Sequence, residues 1–264
     1  MSSESLLSEH EEQTEGLLGN MEARAEHQKT KHYQSLYTFT TAMGVGLLIL
    51  VLFWILHFRN GFAWHSDVGL QFNWHPYLMV LGMVFLYSQS MLIYRTVRNS
   101  PKKHLKILHA ALHCLAFVLS VIGLKAVFDS HNLAKEPIPN LYSFHSWIGL
   151  ITIIIFSAQF LSGFITFLYP GLATAMRQTL MPVHRAVGVG GFVLAIATTV
   201  TGLTEKVIWS VGAEYSKFDA EGVVCNLIGV FVVFYGVMVL YLVNEMDYKR
   251  VSLPEDEIAL AASE

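Results

Sequence analysis

The chain is poor in cysteine and in charge. Its two cysteines, Cys114 and Cys225, both lie inside apolar runs, so they build neither a disulfide framework nor a CxxCH motif for covalent haem attachment. Charged residues make up only 14% of the 264 positions, against 53% hydrophobic, with a mean hydropathy of +0.47. A soluble domain of this length would be far more polar. No cleavable signal peptide is visible, because the first apolar run starts only near Tyr37. The nearest approach to an N-glycosylation site, Asn99-Ser100-Pro101, lacks the hydroxyl residue. The formal net charge of -3 averages two tails and several loops, and no nucleic-acid partner is expected.

Long apolar runs and histidine are what the chain has in quantity. Residues 1–36 carry seven glutamates and no hydrophobic stretch, and are expected to be a disordered cytoplasmic tail. Within it, Leu6-Leu7 and Leu17-Leu18 sit among acidic residues as vesicle-sorting signals would. Residues 37–248 read as one membrane domain, and residues 249–264 as a short polar tail. The domain holds six apolar segments, at about 37–58, 75–95, 105–128, 145–168, 183–203 and 222–243. Each has about 20 residues, enough to cross a hydrocarbon core of about 30 Å as a helix. Lipid offers backbone groups no hydrogen-bond partner, so an open chain crosses only as helix. The expected fold is therefore an all-α membrane protein of six transmembrane helices, with helices two to five as a four-helix core.

Positive charge gives the expected orientation. Arg95, Arg98, Lys102, Lys103 and Lys106 surround the second loop, Arg177 and Arg185 flank the fourth, and Lys249-Arg250 follow the last span. The opposite loops hold only Arg59, Lys135, Lys206 and Lys217, with Lys125 near a helix end. Both termini are thus expected in the cytoplasm.

Four of the twelve histidines fall into a pattern on this topology. His75 begins segment two at the outer side, His109 lies about one turn into segment three at the inner side, His145 begins segment four (outer) and His184 begins segment five (inner). The intervals, 109−75 = 34, 145−109 = 36 and 184−145 = 39, are each close to one helix plus one loop. Two hairpins repeat one scheme, outer His then inner His, a weak parallel repeat of the kind membrane folds use. His75 and His145 share the outer level, and His109 and His184 the inner. Two imidazoles facing across a bundle suit the axial positions of a haem iron. Such a site has no vacant coordination position, which favours electron transfer over oxygen binding. Intramembrane histidines also build proton relays and metal-ion paths, and those readings stay open at this point. Gly188, Gly190 and Gly191 below His184 make room for a flat macrocycle or for close helix packing. His113, one turn from His109, is expected to line or tune the inner site. His65 has no assignable role, and His10, His27, His32 and His104 read as solvated, His57 as interfacial.

The stretches FNWHP (Phe72–Pro76), LIYR ending at Arg95, KILHAALH (Lys106–His113), LYSFHSW (Leu141–Trp147), MPVHR (Met181–Arg185) and LTEK (Leu203–Lys206) together resemble the cytochrome b561 family, over about residues 37–250. That family consists of transmembrane ascorbate-dependent reductases. The resemblance implies two non-covalent, bis-histidine haems b, held by His75 with His145 and by His109 with His184. It implies Arg95, Lys102 and Lys249 beside the inner haem, and Asn140, Leu141, Tyr142, Ser143 and Glu205 beside the outer one. Cytoplasmic ascorbate is implied at Lys102, Lys106 and Arg177, and the outside acceptor, monodehydroascorbate or ferric iron, at His131. Members tend to be homodimers, and plasma membrane, secretory vesicle and endolysosomal membrane all fit. A haem-free histidine-based metal or proton transporter and a haem anchor for a separate dehydrogenase are the competing functions.

Overall fold

The computed structural model describes residues 32–252, together with Gly16 and Thr30. Leu6-Leu7 and Leu17-Leu18 lie outside the described residues. Six helices are long and apolar enough to cross a membrane: α1 (Tyr33–Phe58), α2 (Val68–Thr96), α3 (Lys102–Asn132), α4 (Phe144–Phe167), α5 (Thr174–Lys217) and α6 (Ala220–Asn244). No strand occurs among the described residues. All six expected spans are present, and the main difference is in their ends. α5 begins at Thr174, ten residues before His184, and runs through Pro182. A proline inside an apolar pattern ordinarily signals a helix boundary, so hydropathy places the start of this span too late. α3 likewise begins at Lys102, so His109 lies seven residues in, two turns rather than one.

Helices α2, α3, α4 and α5 form a closed ring in which each packs on the next and α5 returns to α2. α1 and α6 pack on each other and lean on the outside of α2 and α5. α2 is thus the central helix, and half of its most apolar stretch is buried, against a tenth for α4, which meets lipid. Where α1, α2 and α6 meet, Trp54, Tyr235, Leu47 and Val232 are almost fully buried. Gly44 lets α1 approach there: a Cβ on it would stand 2.7 Å from Phe85 and 2.8 Å from Tyr235.

The proximal face is where α1 begins and α6 ends. There the chain after α6 is tied across the α2–α3 turn. Arg98 donates to the Tyr248 carbonyl at 2.7 Å, Arg250 donates to the Arg98 and Ser100 carbonyls at 2.9 and 3.0 Å, and Arg95 donates to the Glu245 carbonyl. The Tyr33 ring packs edge-on against Tyr248, and the Arg98 guanidinium lies 5.8 Å over it. Burial pulls the Arg98 guanidinium below its ordinary range, and the neighbouring Tyr33 phenol works the other way.

At the distal face the turns are pinned by side-chain amides and indoles. Asn73 donates to the Arg59 and Gly61 carbonyls, and Trp74 to that of Ala63. Glu221, only 9% exposed at the start of α6, accepts from Trp54 Nε1 at 2.9 Å and from Arg59 Nη1 at 3.3 Å. Removing one partner of a buried pair strands the other charge. Arg59→Ala is therefore expected to cost about 1–3 kcal/mol, read as a lower thermal midpoint in detergent, with most of the loss recovered when Glu221→Gln is added.

Candidate functional site

Each of the four core helices carries one histidine of the expected set and, at the other level, a seat for a neighbour's histidine. On α2 and α3, His75 Nδ1 donates to the Gly123 carbonyl at 3.2 Å, and His109 Nδ1 to the Ser90 carbonyl at 2.9 Å. On α4 and α5, His145 Nδ1 donates to the Thr198 carbonyl at 3.0 Å, and His184 Nδ1 lies 2.8 Å from the Gln159 side-chain amide. A carbonyl can only accept, so in the first three rings the proton resides on Nδ1 and the Nε2 lone pair faces inward. That is the tautomer of a metal-bound imidazole oriented by an outer hydrogen bond.

Within each helix, the histidine and the seat have almost one spacing. It is 123−109 = 14 on α3, 198−184 = 14 on α5 and 159−145 = 14 on α4, but 90−75 = 15 on α2. The extra residue on α2 coincides with a π-helical stretch, Val80–Leu86. A π-turn accommodates one residue more without turning the rest of the helix to a new face. Two hairpins thus have equivalent geometry despite the inserted residue. Fourteen residues at about 1.5 Å each set the two levels about 21 Å apart.

The rings pair as the sequence suggests. His75 and His145 have centroids 6.1 Å apart, and His109 and His184 6.3 Å apart. An imidazole nitrogen stands about 2.0–2.1 Å from a metal it binds and about 1.1 Å from its own ring centre, so two imidazoles trans on one ion have centroids about 6.3 Å apart. The residues present therefore fit a bis-imidazole iron at each level. Glycine makes this possible on α4 and α5. A Cβ at Gly202 would stand 2.5 Å from His145 Cε1, and one at Gly163 2.8 Å from His184 Cε1. These two glycines carry no motif in the sequence. Of the three glycines singled out there, Gly188 gives its carbonyl to Tyr87 Oη at 2.8 Å, Gly191 leaves room for that same hydroxyl, and Gly190 has nothing close by.

Around each pair lies a cavity. The distal one is lined by all the expected outer residues: His131, Asn140, Leu141, Tyr142, Ser143 and Glu205. The proximal one brings together Arg95, Lys102, Lys106 and Lys249, and adds Arg185 and Arg250. Arg177 is the exception. It is not on that wall, and it donates instead to Thr174 Oγ1 at 2.9 Å, two turns nearer the proximal end of α5 than His184. The cause is the early start of α5, which carries Arg177 away from the histidine along the helix. His113 does line the proximal cavity, 4.5 Å from the His109 ring, with its buried Nδ1 lacking a partner. Tyr87 and Phe156 line the proximal cavity, while Met83 and Thr152, one turn away on the same helices, line the distal one. The two walls approach within about 6 Å along the helix axes.

The profile of eukaryotic cytochrome b561 matches residues 74–210, a stretch that runs from the turn bearing His75 past the seat of His145. The chain is 41% identical over 223 residues to the transmembrane ascorbate-dependent reductase CYB561 of Sus scrofa, covering 84% of this chain and 86% of the relative. The chain belongs to the cytochrome b561 family. It is also 40% identical to a Caenorhabditis elegans homologue, named a putative transmembrane ascorbate-dependent reductase, with 88% and 90% of the two chains covered. The lysosomal membrane ascorbate-dependent ferrireductase CYB561A3 of Bos taurus is 42% identical over 79% of this chain and 80% of its own. Membership in this family implies haem b, and makes the chain a transmembrane oxidoreductase.

Overpacking a site without slack costs about 1–3 kcal/mol or shifts the side chain it meets. Gly202→Ala is expected to disturb the distal pair alone and Gly163→Ala the proximal pair alone, each read as a shift of the His145 or of the His184 ring resonances in histidine-labelled protein. Gly190→Ala should leave both.

Proposed function

We propose that this protein passes single electrons from cytoplasmic ascorbate across the membrane to an acceptor on the other side, monodehydroascorbate or a ferric chelate, using two haems b. The observation that carries this reading is the two imidazole pairs at coaxial-ligand separation, 6.1 and 6.3 Å, stacked at two levels of one bundle. Bound haem supplies reversible one-electron chemistry. The protein's own groups hold, orient and insulate.

In this reading His109 and His184 hold the proximal haem and His75 and His145 the distal one. Arg95, Lys102 and Lys249 neutralise carboxylates beside the proximal haem, and the proximal face is cytoplasmic, in keeping with its excess of basic residues. Lys102, Lys106 and His109 follow one another at i, i+4 and i+7, one stripe of α3 leading from the face to the ligand. Lys102 and Lys106 thereby receive the ascorbate anion, and Arg177, outside the wall, attracts it on approach. On the distal side Asn140, Leu141, Tyr142, Ser143 and Glu205 edge the haem. His131 Nδ1 donates to Asn140 Oδ1 at 3.0 Å, which leaves Nε2 to meet the acceptor. Between the levels the Tyr87 ring packs against those of Phe156 and Phe192, and these rings exclude water from the path. Secretory vesicle, endolysosomal and plasma membranes all suit such a reaction.

The haem-free alternative meets an obstacle. Among the described residues there is no group of three or more His, Cys, Asp or Glu able to hold a metal ion. Two nitrogens alone make a poor site for a naked divalent ion, whereas a porphyrin brings the other four donors.

The purified protein is expected to show a b-type spectrum that ascorbate reduces in two phases, and His109→Ala should abolish one phase and leave the distal haem in place. A colourless protein would overturn the reading. Lys102→Ala combined with Lys106→Ala is expected to raise the KM for ascorbate about tenfold, the factor that about 1.4 kcal/mol of lost binding produces. Raising the salt should raise the wild-type KM more than that of the double variant, because exposed charges are screened over about 8 Å at physiological ionic strength.

A further inference from the structure

One charged side chain on the distal cavity wall has no part in the function above. Lys206 lies on α5 four residues beyond Gly202, hence one turn outward on the same face from the contact with His145. Its side chain lines the distal cavity, and its Nζ stands 4.1 Å from the centroid of the Phe72 ring. Phe72 precedes His75 by three residues, and their rings are 6.1 Å apart. The ammonium therefore sits between α2 and α5, just outward of the distal imidazoles.

Among the described residues no carboxylate forms an ion pair with it. Glu221, which acts on Lys206 through space, is already engaged by Trp54 Nε1 and doubly by Arg59, at 2.9, 3.3 and 3.4 Å. Glu205 lines the same cavity, but among the described residues no ion pair joins it to Lys206. Among the described residues the Phe72 face is the one close contact recorded for the Lys206 ammonium. An ammonium in an apolar wall is costly unless something anionic meets it. Lys206 is also alone in kind. It is the one lysine or arginine on the distal wall, where the proximal wall has six: Arg95, Lys102, Lys106, Arg185, Lys249 and Arg250.

We propose that Lys206 binds a carboxylate inside the distal cavity and so sets the electrostatics of that site. This inference rests on the reading of His75 and His145 as a haem pair. Two sources offer the same chemistry: a propionate of the distal haem itself, or the carboxylate or enolate oxygen of an anionic acceptor. A fixed positive charge beside the iron stabilises the reduced form, so it favours residence of the electron at the distal level. It offsets part of the opposite pull from the six proximal cations.

The test is a potentiometric titration of the haem-loaded, full-length protein, as wild type, Lys206→Gln, Lys206→Arg and Lys206→Met. KM is measured in parallel for anionic ferricyanide and cationic hexaammineruthenium(III). If the partner is a propionate, Lys206→Gln and Lys206→Met shift the electron about tenfold toward the proximal haem, 59 mV for one electron. Lys206→Arg then restores the wild-type value, and the proximal potential stays put. If the partner is a free anion, the distal potential falls likewise, but the KM for ferricyanide, and not that for hexaammineruthenium(III), also rises several-fold. Either result supports an anion site at Lys206, filled by a propionate in the first case and by the acceptor in the second. Haem present with potentials and both KM values unmoved overturns this inference alone. Wild-type protein without haem overturns the haem reading and this inference with it.

Discussion

The bundle depends on a hydrogen bond between each core imidazole and the neighbouring helix. A histidine with Nδ1 anchored to a carbonyl 2.9 to 3.2 Å away cannot rotate, and its Nε2 has one direction to face. The bond does two jobs that usually need separate residues. It sets the tautomer, and it ties α2 to α3 and α4 to α5 at two heights each. In lipid, where helices gain little from hydrophobic packing against one another, such interhelical hydrogen bonds and close glycine contacts are the main sources of association. The groups that would hold the cofactors are therefore also the fasteners of the fold, and the bundle and its sites form together.

Much of this was legible in the sequence, for physical reasons. Membrane spans announce themselves by length and apolarity, and all six did. Histidine is rare enough in apolar surroundings for four in level-matched pairs to stand out, and the pairs indeed face one another. The parts that did not show have no compositional signal. The seats at Ser90, Gly123, Gln159 and Thr198 are defined by backbone direction across a helix pair. Gly163 and Gly202 look like any glycine in a span, until a Cβ is built on them. The π-helical stretch Val80–Leu86 contains no proline and only one glycine, and shows only as a fifteenth residue where the other helices have fourteen. The early start of α5 was hidden by Pro182 and by the polar turn before it, and this also displaced Arg177 from the wall.

The two levels share geometry and differ in charge. The proximal cavity is ringed by cations, several of them held in place through backbone carbonyls by the chain following α6. The distal cavity is walled mainly by apolar side chains, with one basic residue and uncharged rim groups from Asn140 to Ser143. A basic proximal rim also follows from membrane insertion alone, so topology and anion recognition draw on the same residues. The repeat that builds the bundle thus gives two equivalent frames, and the loops make them unlike.

Of the four anchors, three end on the main chain and one, at His184, on the side chain of Gln159. A main-chain oxygen is the same whatever amino acid carries it. Natural variation can hardly retune His75, His109 or His145 through that contact. Gln159 is different, since a single codon change replaces its amide by a carboxylate or an aliphatic group. Were His184 to hold a haem as proposed, its donor strength would in that sense be heritable, and descendants of one ancestral bundle could diverge in how readily that site gives up an electron without altering any ligand.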